Sequence, residues 1–179
     1  MDMQTTEQTV LLDRLEAETR SLLEFVRTHY LKAEPATLES RPADDAWNLL
    51  EKFAHVNIFF DLYLPRIELA IHKSRARQWA AGDRVKYNGR GKRALRRVAP
   101  DNPKKYKTKK RYNFIGQNIP PSVVKAFIIN LEMLLRAIQN ARSVDLNKTR
   151  IRKANSWFGK YYLGNLLEYL LLHSQRHVQ

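Results

Sequence analysis

Four segments of the chain place apolar side chains three and four residues apart, which is the spacing of one face of an α-helix. No segment shows the alternation of apolar and polar residues that is typical of a half-buried strand. The predicted helices span residues 7–30, 46–71, 120–138 and 163–179. These helices, with one long connection between the second and the third, predict an all-α fold, a four-helix bundle. The length of 179 residues fits a single domain over residues 1–179.

Two of the predicted helices begin with recognisable local signals. The second follows "RPADD", where Asp44 or Asp45 is expected to cap the N-terminus, because an aspartate accepts from free amides and favours the positive end of the helix dipole. The third follows a proline pair, with Ser122 as its expected cap. Both helix starts are therefore predicted from local chemistry as well as from periodicity.

The connection between the second and third helices, residues 73–120, is strongly basic. Residues 73–111 contain 16 of the 32 Lys and Arg residues but only two of the 18 Asp and Glu residues, so this segment accounts for the formal net charge of +14. Its apolar residues are too sparse for a regular period, and it is interrupted by Gly82, Gly89, Gly91, Pro100 and Pro103. We expect a long crossover loop with room for short helical turns.

The chain contains no cysteine, which excludes disulfides, Cys-containing zinc sites and a cysteine nucleophile. Histidine and carboxylate then remain as the main metal ligands. The N-terminus "MDMQTTEQTV" lacks the pattern of a signal peptide, and no stretch reaches the roughly 18 apolar residues of a membrane span. We expect a cytoplasmic protein without a membrane partner.

His173 and His177 lie one turn apart and continue the apolar face of the fourth helix. Both imidazoles could reach one point beside the helix, as metal-binding pairs do, or they could form the polar end of a packed helix. His55, early in the second helix, could supply a third ligand. Its alternative role is a core histidine that donates to a backbone carbonyl or to a side chain such as Glu51. The two other histidines, His29 and His72, are expected at the surface.

Trp47, Glu51 and His55 in "AWNLLEKFAHV" are followed late in the chain by the Leu163-Gly164 helix entry and the pair His173-x-x-x-His177. This pattern resembles the DinB-like superfamily, which includes bacillithiol transferase-like and mycothiol-dependent isomerase-like proteins. The resemblance covers nearly the whole chain, including the order of the helices and the long link between the second and the third.

The resemblance implies a four-helix bundle that holds a divalent metal ion, nickel or zinc, through His55, His173 and His177. In characterised relatives the metal assists reactions of low-molecular-weight thiols, so the implied activity is a thiol-dependent transferase, or a related enzyme, acting on a small molecule. A metal-dependent hydrolase would use the same site with metal-bound water. From the resemblance we also expect a homodimer.

Glu51 lies one turn before His55 and has three candidate roles. It could orient the imidazole as an acceptor outside the ligand set, act as a base, or be an ordinary solvated carboxylate.

The crossover interleaves its basic residues with Tyr87, Tyr106, Tyr112 and Phe114, a composition able to bind phosphates and stack on bases. Three interpretations stay open. The crossover is a solvated loop folded over the mouth of the bundle, a site for an anionic small molecule, or the binding surface of a non-enzymatic module for nucleic acid or another polyanion. After it, Trp157 and Phe158 are expected to pack at the entry of the fourth helix or to wall a pocket.

Overall fold

The computed structural model describes residues 6–104, 106–154 and 159–178, so the expected packing of Trp157 and Phe158 lies outside the described residues. Along the chain the elements are β1 (Thr6–Glu7), α1 (Gln8–His29), α2 (Pro35–Glu39), α3 (Leu49–Ala76), β2 (Arg84–Val85), α4 (Gly89–Val98), a 3-10 turn (Lys110–Tyr112), α5 (Ser122–Ala141), β3 (Arg150–Arg152), β4 (Lys160–Tyr162) and α6 (Leu163–Val178). Among these helices, none combines the length and the apolar character needed to cross a bilayer.

The four long helices α1, α3, α5 and α6 form the predicted bundle. α3 packs against α5 and α6, and α1 packs against the same two helices, so the order around the bundle is α1, α5, α3, α6. The core between them is made of fully buried side chains, the largest of which include Phe53, Phe60, Phe127, Leu15 and Leu22. The all-α expectation is confirmed, because burial of one apolar stripe per helix is what the sequence periodicity required.

The start of α3 differs from the prediction. Asp44 and Asp45 lie in a turn, and the helix begins at Leu49 with Asn48 as its N-cap. The Asn48 side chain accepts from the amide of Glu51, and the Glu51 carboxylate accepts from the amide of Asn48. The aspartate cap was a wrong prediction because this capping box satisfies two amides at once. Ser122 is likewise the first residue of α5 and not its cap.

The prediction of no strands was wrong in detail. β1 pairs with β2, and β3 pairs with β4, both antiparallel. Strands of two or three residues are too short to show an alternating pattern in the sequence. The first pair joins the N-terminus to the crossover, and the second forms a hairpin immediately before α6.

The crossover contains more regular structure than expected. Its helix α4 is capped by Asn88, whose side chain accepts from the amide of Gly91 at 2.7 Å. Leu95 and Val98 are buried against Leu172 of α6. Periodicity did not reveal α4 because few of its ten residues are apolar and buried.

Candidate metal centre

Helices α3 and α6 bring three histidines together. One ligand atom from each of His55, His173 and His177 lies within 4.8 Å of those of the other two. The Nε2 atoms of His55 and His173 are 3.2 Å apart. The ring centroids are separated by 4.8 to 5.1 Å. The expectation that these three side chains face one interior is therefore confirmed.

The two other histidines take no part in this cluster. His29 on α1 and His72 near the end of α3 are both exposed, as expected from their polar surroundings. By contrast, His55 and His173 are each 5% exposed, and His177 is half-buried. Two buried imidazoles and one half-buried imidazole at one place require a reason, because buried polar groups normally have partners.

The ring of His55 is held in one orientation by the crossover. Its Nδ1 lies 2.8 Å from the carbonyl oxygen of Tyr112. A carbonyl can only accept, so Nδ1 carries the proton, and Nε2 presents its lone pair toward His173. The expected alternative, donation to a backbone carbonyl, is thus present and is compatible with metal binding, since ligating histidines commonly fix their other nitrogen in this way.

The ring of His173 has an unsatisfied nitrogen. Its Nδ1 is buried and has no hydrogen-bond partner within the described part of the chain. A buried polar atom without a partner costs about 1–3 kcal/mol. A histidine needed only for packing would be replaced by an apolar residue at no such cost, so the position favours a role for the imidazole itself.

The surroundings of all three imidazoles favour the neutral form. Burial lowers the pKa of His55, and the Tyr112 carbonyl opposes this only in part. Burial, then the neighbouring His177 and His55, place the pKa of His173 well below its usual value. Burial and His55 lower the pKa of His177 to about 3. Neutral imidazole is the form that binds a metal ion.

One pair of ligand atoms has the separation that a shared divalent metal ion requires. Two nitrogen ligands at about 2.0–2.1 Å from a tetrahedral ion lie about 3.3 Å apart, close to the observed Nε2 separation of 3.2 Å. Imidazole suits zinc and nickel. Three protein ligands with a further position left open are typical of catalytic sites. The histidines could therefore hold one such ion.

An aromatic wall surrounds the cluster. Trp47 stacks on His177 with centroids 5.9 Å apart and contacts His55 at 4.7 Å. Phe59 meets His173 edge-on at 4.6 Å, and Tyr169 stacks on the same ring at 5.4 Å. Neither Phe59 nor Tyr169 was among the expected site residues. Their positions four residues from His55 and His173 were the available signal, because that spacing places side chains on the same helix face.

The surroundings of Glu51 are not those of a solvated carboxylate, and its expected role as a base stays a prediction. It is fully buried, and it accepts from both guanidinium nitrogens of Arg41, at 2.5 and 2.8 Å, and from the amide of Gly116 at 2.6 Å. Burial raises its pKa, but Arg41 and the amides of Asn48 and Gly116 outweigh burial, so the net pKa is lowered. The solvated carboxylate was a wrong interpretation, and the His55 ring is oriented by Tyr112 and not by Glu51.

The crossover folds over the histidine cluster at several points. Tyr112 contacts the ring of Phe59 at 5.2 Å and fixes His55 through its carbonyl. From the other side, Arg176 of α6 donates to the carbonyl oxygens of Ala99, Asn102 and Lys104. No local sequence pattern indicates these contacts, which join residues more than 50 positions apart.

A family model described as the DinB superfamily matches residues 11–179. The matched span contains all three clustered histidines and nearly all of the four bundle helices. Comparisons with curated proteins and with solved structures each found no match.

Proposed function

The chain belongs to the DinB superfamily, and from this premise we propose that it is a metal-dependent transferase that joins a low-molecular-weight thiol to a small electrophile. Its ion, nickel or zinc, would be held by His55, His173 and His177. The observation that carries the proposal is the meeting of three imidazoles from two helices at one point, two of them buried and one half-buried, with lowered pKa values that favour the neutral form.

The chemistry of the site divides between the ion and the chain. When bound, a divalent ion supplies a Lewis acid that lowers the pKa of a thiol or a water. The chain has no cysteine, so the sulfur nucleophile comes from the thiol substrate. The reaction would form a carbon–sulfur bond as the leaving group departs from the electrophile, with the thiol proton released to solvent.

The surrounding residues would orient the reactants and limit access of water. The Tyr112 carbonyl keeps the proton of His55 on Nδ1, so the Nε2 lone pair stays directed at the cluster. Trp47, Phe59 and Tyr169 supply an apolar lining suited to the carbon skeleton of an electrophile. Desolvation by these rings would strengthen electrostatic interactions within the site.

Glu51 enters this proposal as a positioning residue. It links the start of α3, which carries His55, to Gly116 of the crossover, four residues after Tyr112. Its lowered pKa and its several donors make it a poor proton acceptor for catalysis. The positioning role predicts that changes at Glu51 act through the geometry of the crossover.

The test is thiol transfer to a chromogenic aryl halide, measured with metal-loaded protein and a panel of low-molecular-weight thiols. We expect thiol-dependent turnover that falls at least about a hundredfold in His173→Gln, because loss of a metal ligand removes the Lewis acid. His72→Gln, which changes an exposed histidine on α3, is the matched control and should keep full activity.

Two results would contradict the transferase. Turnover of ester or amide substrates without thiol would assign the same site to hydrolysis. If the protein binds metal but turns over no pair of thiol and electrophile, the metal site stands and the proposed transferase activity is wrong.

A further inference from the structure

A second concave surface lies away from the histidines, between the C-terminal half of α3 and the β3–β4 hairpin. Its volume is about 1010 Å³. On α3, Lys73 in this groove is 18 residues beyond His55, which corresponds to about 27 Å along the helix. We call this surface the hairpin groove; the basic residues that line it are Arg66, Lys73, Arg77, Lys148, Arg150, Arg152, Lys153 and Lys160.

The hairpin groove is electropositive. All eight basic side chains are exposed, and the described residues that line the groove include no carboxylate. Within the described chain, Lys148 is the one of the eight with an ion-pair partner, Asp145 at 3.9 Å. Charges of one sign along a concave surface concentrate the electric field and attract a ligand of opposite charge.

The hairpin wall places like charges directly opposite each other. Arg152 of β3 pairs with Lys160 of β4, and Arg150 lies on the same face two residues earlier. Like charges at directly opposed positions destabilise an antiparallel pair. Within the described residues neither Arg152 nor Lys160 has an ion-pair partner that would offset this repulsion, and a local arrangement that opposes stability is typical of a functional surface.

The helix wall repeats this arrangement. Lys73 lies in the last turn of α3 and Arg77, four residues later, is its C-cap, a spacing at which like charges repel. The dipole at the C-terminal end of α3 offsets part of this repulsion. A ligand that neutralises the hairpin wall would reduce the corresponding repulsion there.

The spread of the charges indicates the kind of anion. Arg66 and Arg77 are eleven residues apart, so the helix wall extends over about 16 Å. A single phosphate is usually held by a few converging donors, whereas here exposed cations line both walls along their length. This distribution fits a chain of phosphates.

The shape of the groove and the one aromatic side chain among its described lining residues indicate which kind of polyanion the groove fits. Duplex DNA is read by a helix or ribbon that protrudes into a groove of the nucleic acid, while single strands lie in concave basic channels beside aromatic rings. Trp79 lies at the hairpin groove, with Arg77 5.0 Å from its ring centroid. We propose that the hairpin groove binds single-stranded nucleic acid, with phosphates along its two walls and a base against Trp79.

The experiment measures binding of a labelled single-stranded oligonucleotide of about 15 nucleotides by fluorescence anisotropy. If about four phosphates are neutralised, the logarithm of the association constant falls with the logarithm of salt concentration with a slope of about −3. Arg152→Gln/Lys160→Gln should weaken binding about tenfold or more at low salt. The same variant should keep or raise the melting temperature, because it removes a repulsive cross-strand pair.

Two double variants with the same loss of charge serve as controls. Lys125→Gln/Arg136→Gln removes exposed charges from α5, and Lys107→Gln/Lys109→Gln removes them from the crossover. Both should stay within about twofold of the wild type, since neither touches the hairpin groove. If the hairpin variant fails to fold, Arg66→Gln/Lys73→Gln tests the opposite wall.

Several results would overturn the proposal. Absence of binding at low salt would do so, as would an equal loss of affinity in all the double variants, which would indicate bulk charge alone. A loss confined to the crossover variant would place the binding surface there. Tighter binding of duplex DNA than of the single strand would show that the groove prefers a duplex. Full competition by pyrophosphate at an equal concentration of phosphate groups would show that it binds small phosphate anions.

Discussion

Glu51 joins three parts of the chain at the edge of the histidine cluster. Its carboxylate accepts from Arg41, from the amide of Asn48 at the start of α3, and from the amide of Gly116 in the crossover. Removing one partner of a buried ion pair leaves the other uncompensated, which is why such pairs are costly to break. The residue is therefore a structural link beside the site.

We expect Glu51→Gln to lower the free energy of unfolding at neutral pH by about 2 kcal/mol, a value reduced from that of a fully buried pair because Arg41 is partly exposed. The folded-state pKa of Glu51 lies below its unfolded value of about 4.3. Its contribution is thus present above that pH and is lost as the pH falls toward the folded pKa. Urea unfolding at neutral and acidic pH measures both effects.

The matched control for this prediction is Glu24→Gln, which changes an exposed carboxylate on α1 and should alter stability by less than about 0.5 kcal/mol. Equal stability of Glu51→Gln and the wild type at neutral pH would contradict the structural role. So would an unchanged difference between them across the acidic range.

Individual site residues differ in how far the sequence predicted them. His173 and His177 follow the apolar stripe of their own helix, so their inward direction was predictable from spacing. The proton position on His55 was not, because Tyr112 lies 57 residues away in the crossover. The contact of Glu51 with Gly116, 65 residues away in the same crossover, was not predictable for the same reason.

At the scale of elements, the helix α4 holds the crossover against α6. A side chain at Gly91 would collide with the Asn165 side chain, whereas one at Gly89 would meet no atom within 4 Å. The two glycines thus have different roles: Gly91 permits a close approach between helices, and Gly89 does not.

We expect Gly91→Ala to lower the free energy of unfolding by about 1–3 kcal/mol, because the added methyl group overpacks the contact with Asn165. Gly89→Ala should leave stability unchanged or raise it by up to about 1 kcal/mol through its higher helix propensity. Denaturant unfolding of the two variants measures this contrast. If both substitutions have the same effect, the close packing of α4 on α6 is not as described.

The elements that the sequence predicted and those that it missed differ in length. The long helices have enough buried positions for a period to be recognised, so α1, α5 and α6 lie close to their expected limits. α4 and the four strands have few buried apolar residues each. Their positions are determined by contacts with distant elements, as when β2 pairs with β1 at the start of the chain.

For the whole molecule, charge along the chain is a poor guide to charge in space. Basic and acidic residues are equal in number outside residues 73–111, so the sequence places the excess positive charge in the crossover. Folding nevertheless gathers basic residues from α3 and the hairpin into one groove without carboxylates among its described lining residues. Acidic residues such as Glu16 and Glu132 are instead paired with arginines elsewhere on the surface.

The bundle order explains how the histidine cluster forms. Because α3 packs directly on α6, one early residue of α3 can meet two late residues of α6. The crossover then covers this end of the bundle through Tyr112 and Gly116. The bundle, the histidine cluster and the position of the crossover over that cluster all follow from this order of helices. The family match spans nearly all of these elements.

The most direct test of the central claim is the metal content of untagged protein after equilibration with Ni²⁺ or Zn²⁺ and dialysis. We predict about one ion per chain in the wild type and in His72→Gln, and at least about a tenfold loss in His55→Gln, His173→Gln and His177→Gln, because imidazole binds these metals much better than an amide does. Circular dichroism would show that each variant remains helical. Absence of metal from the wild type, or equal metal in wild type and His173→Gln, would contradict the account.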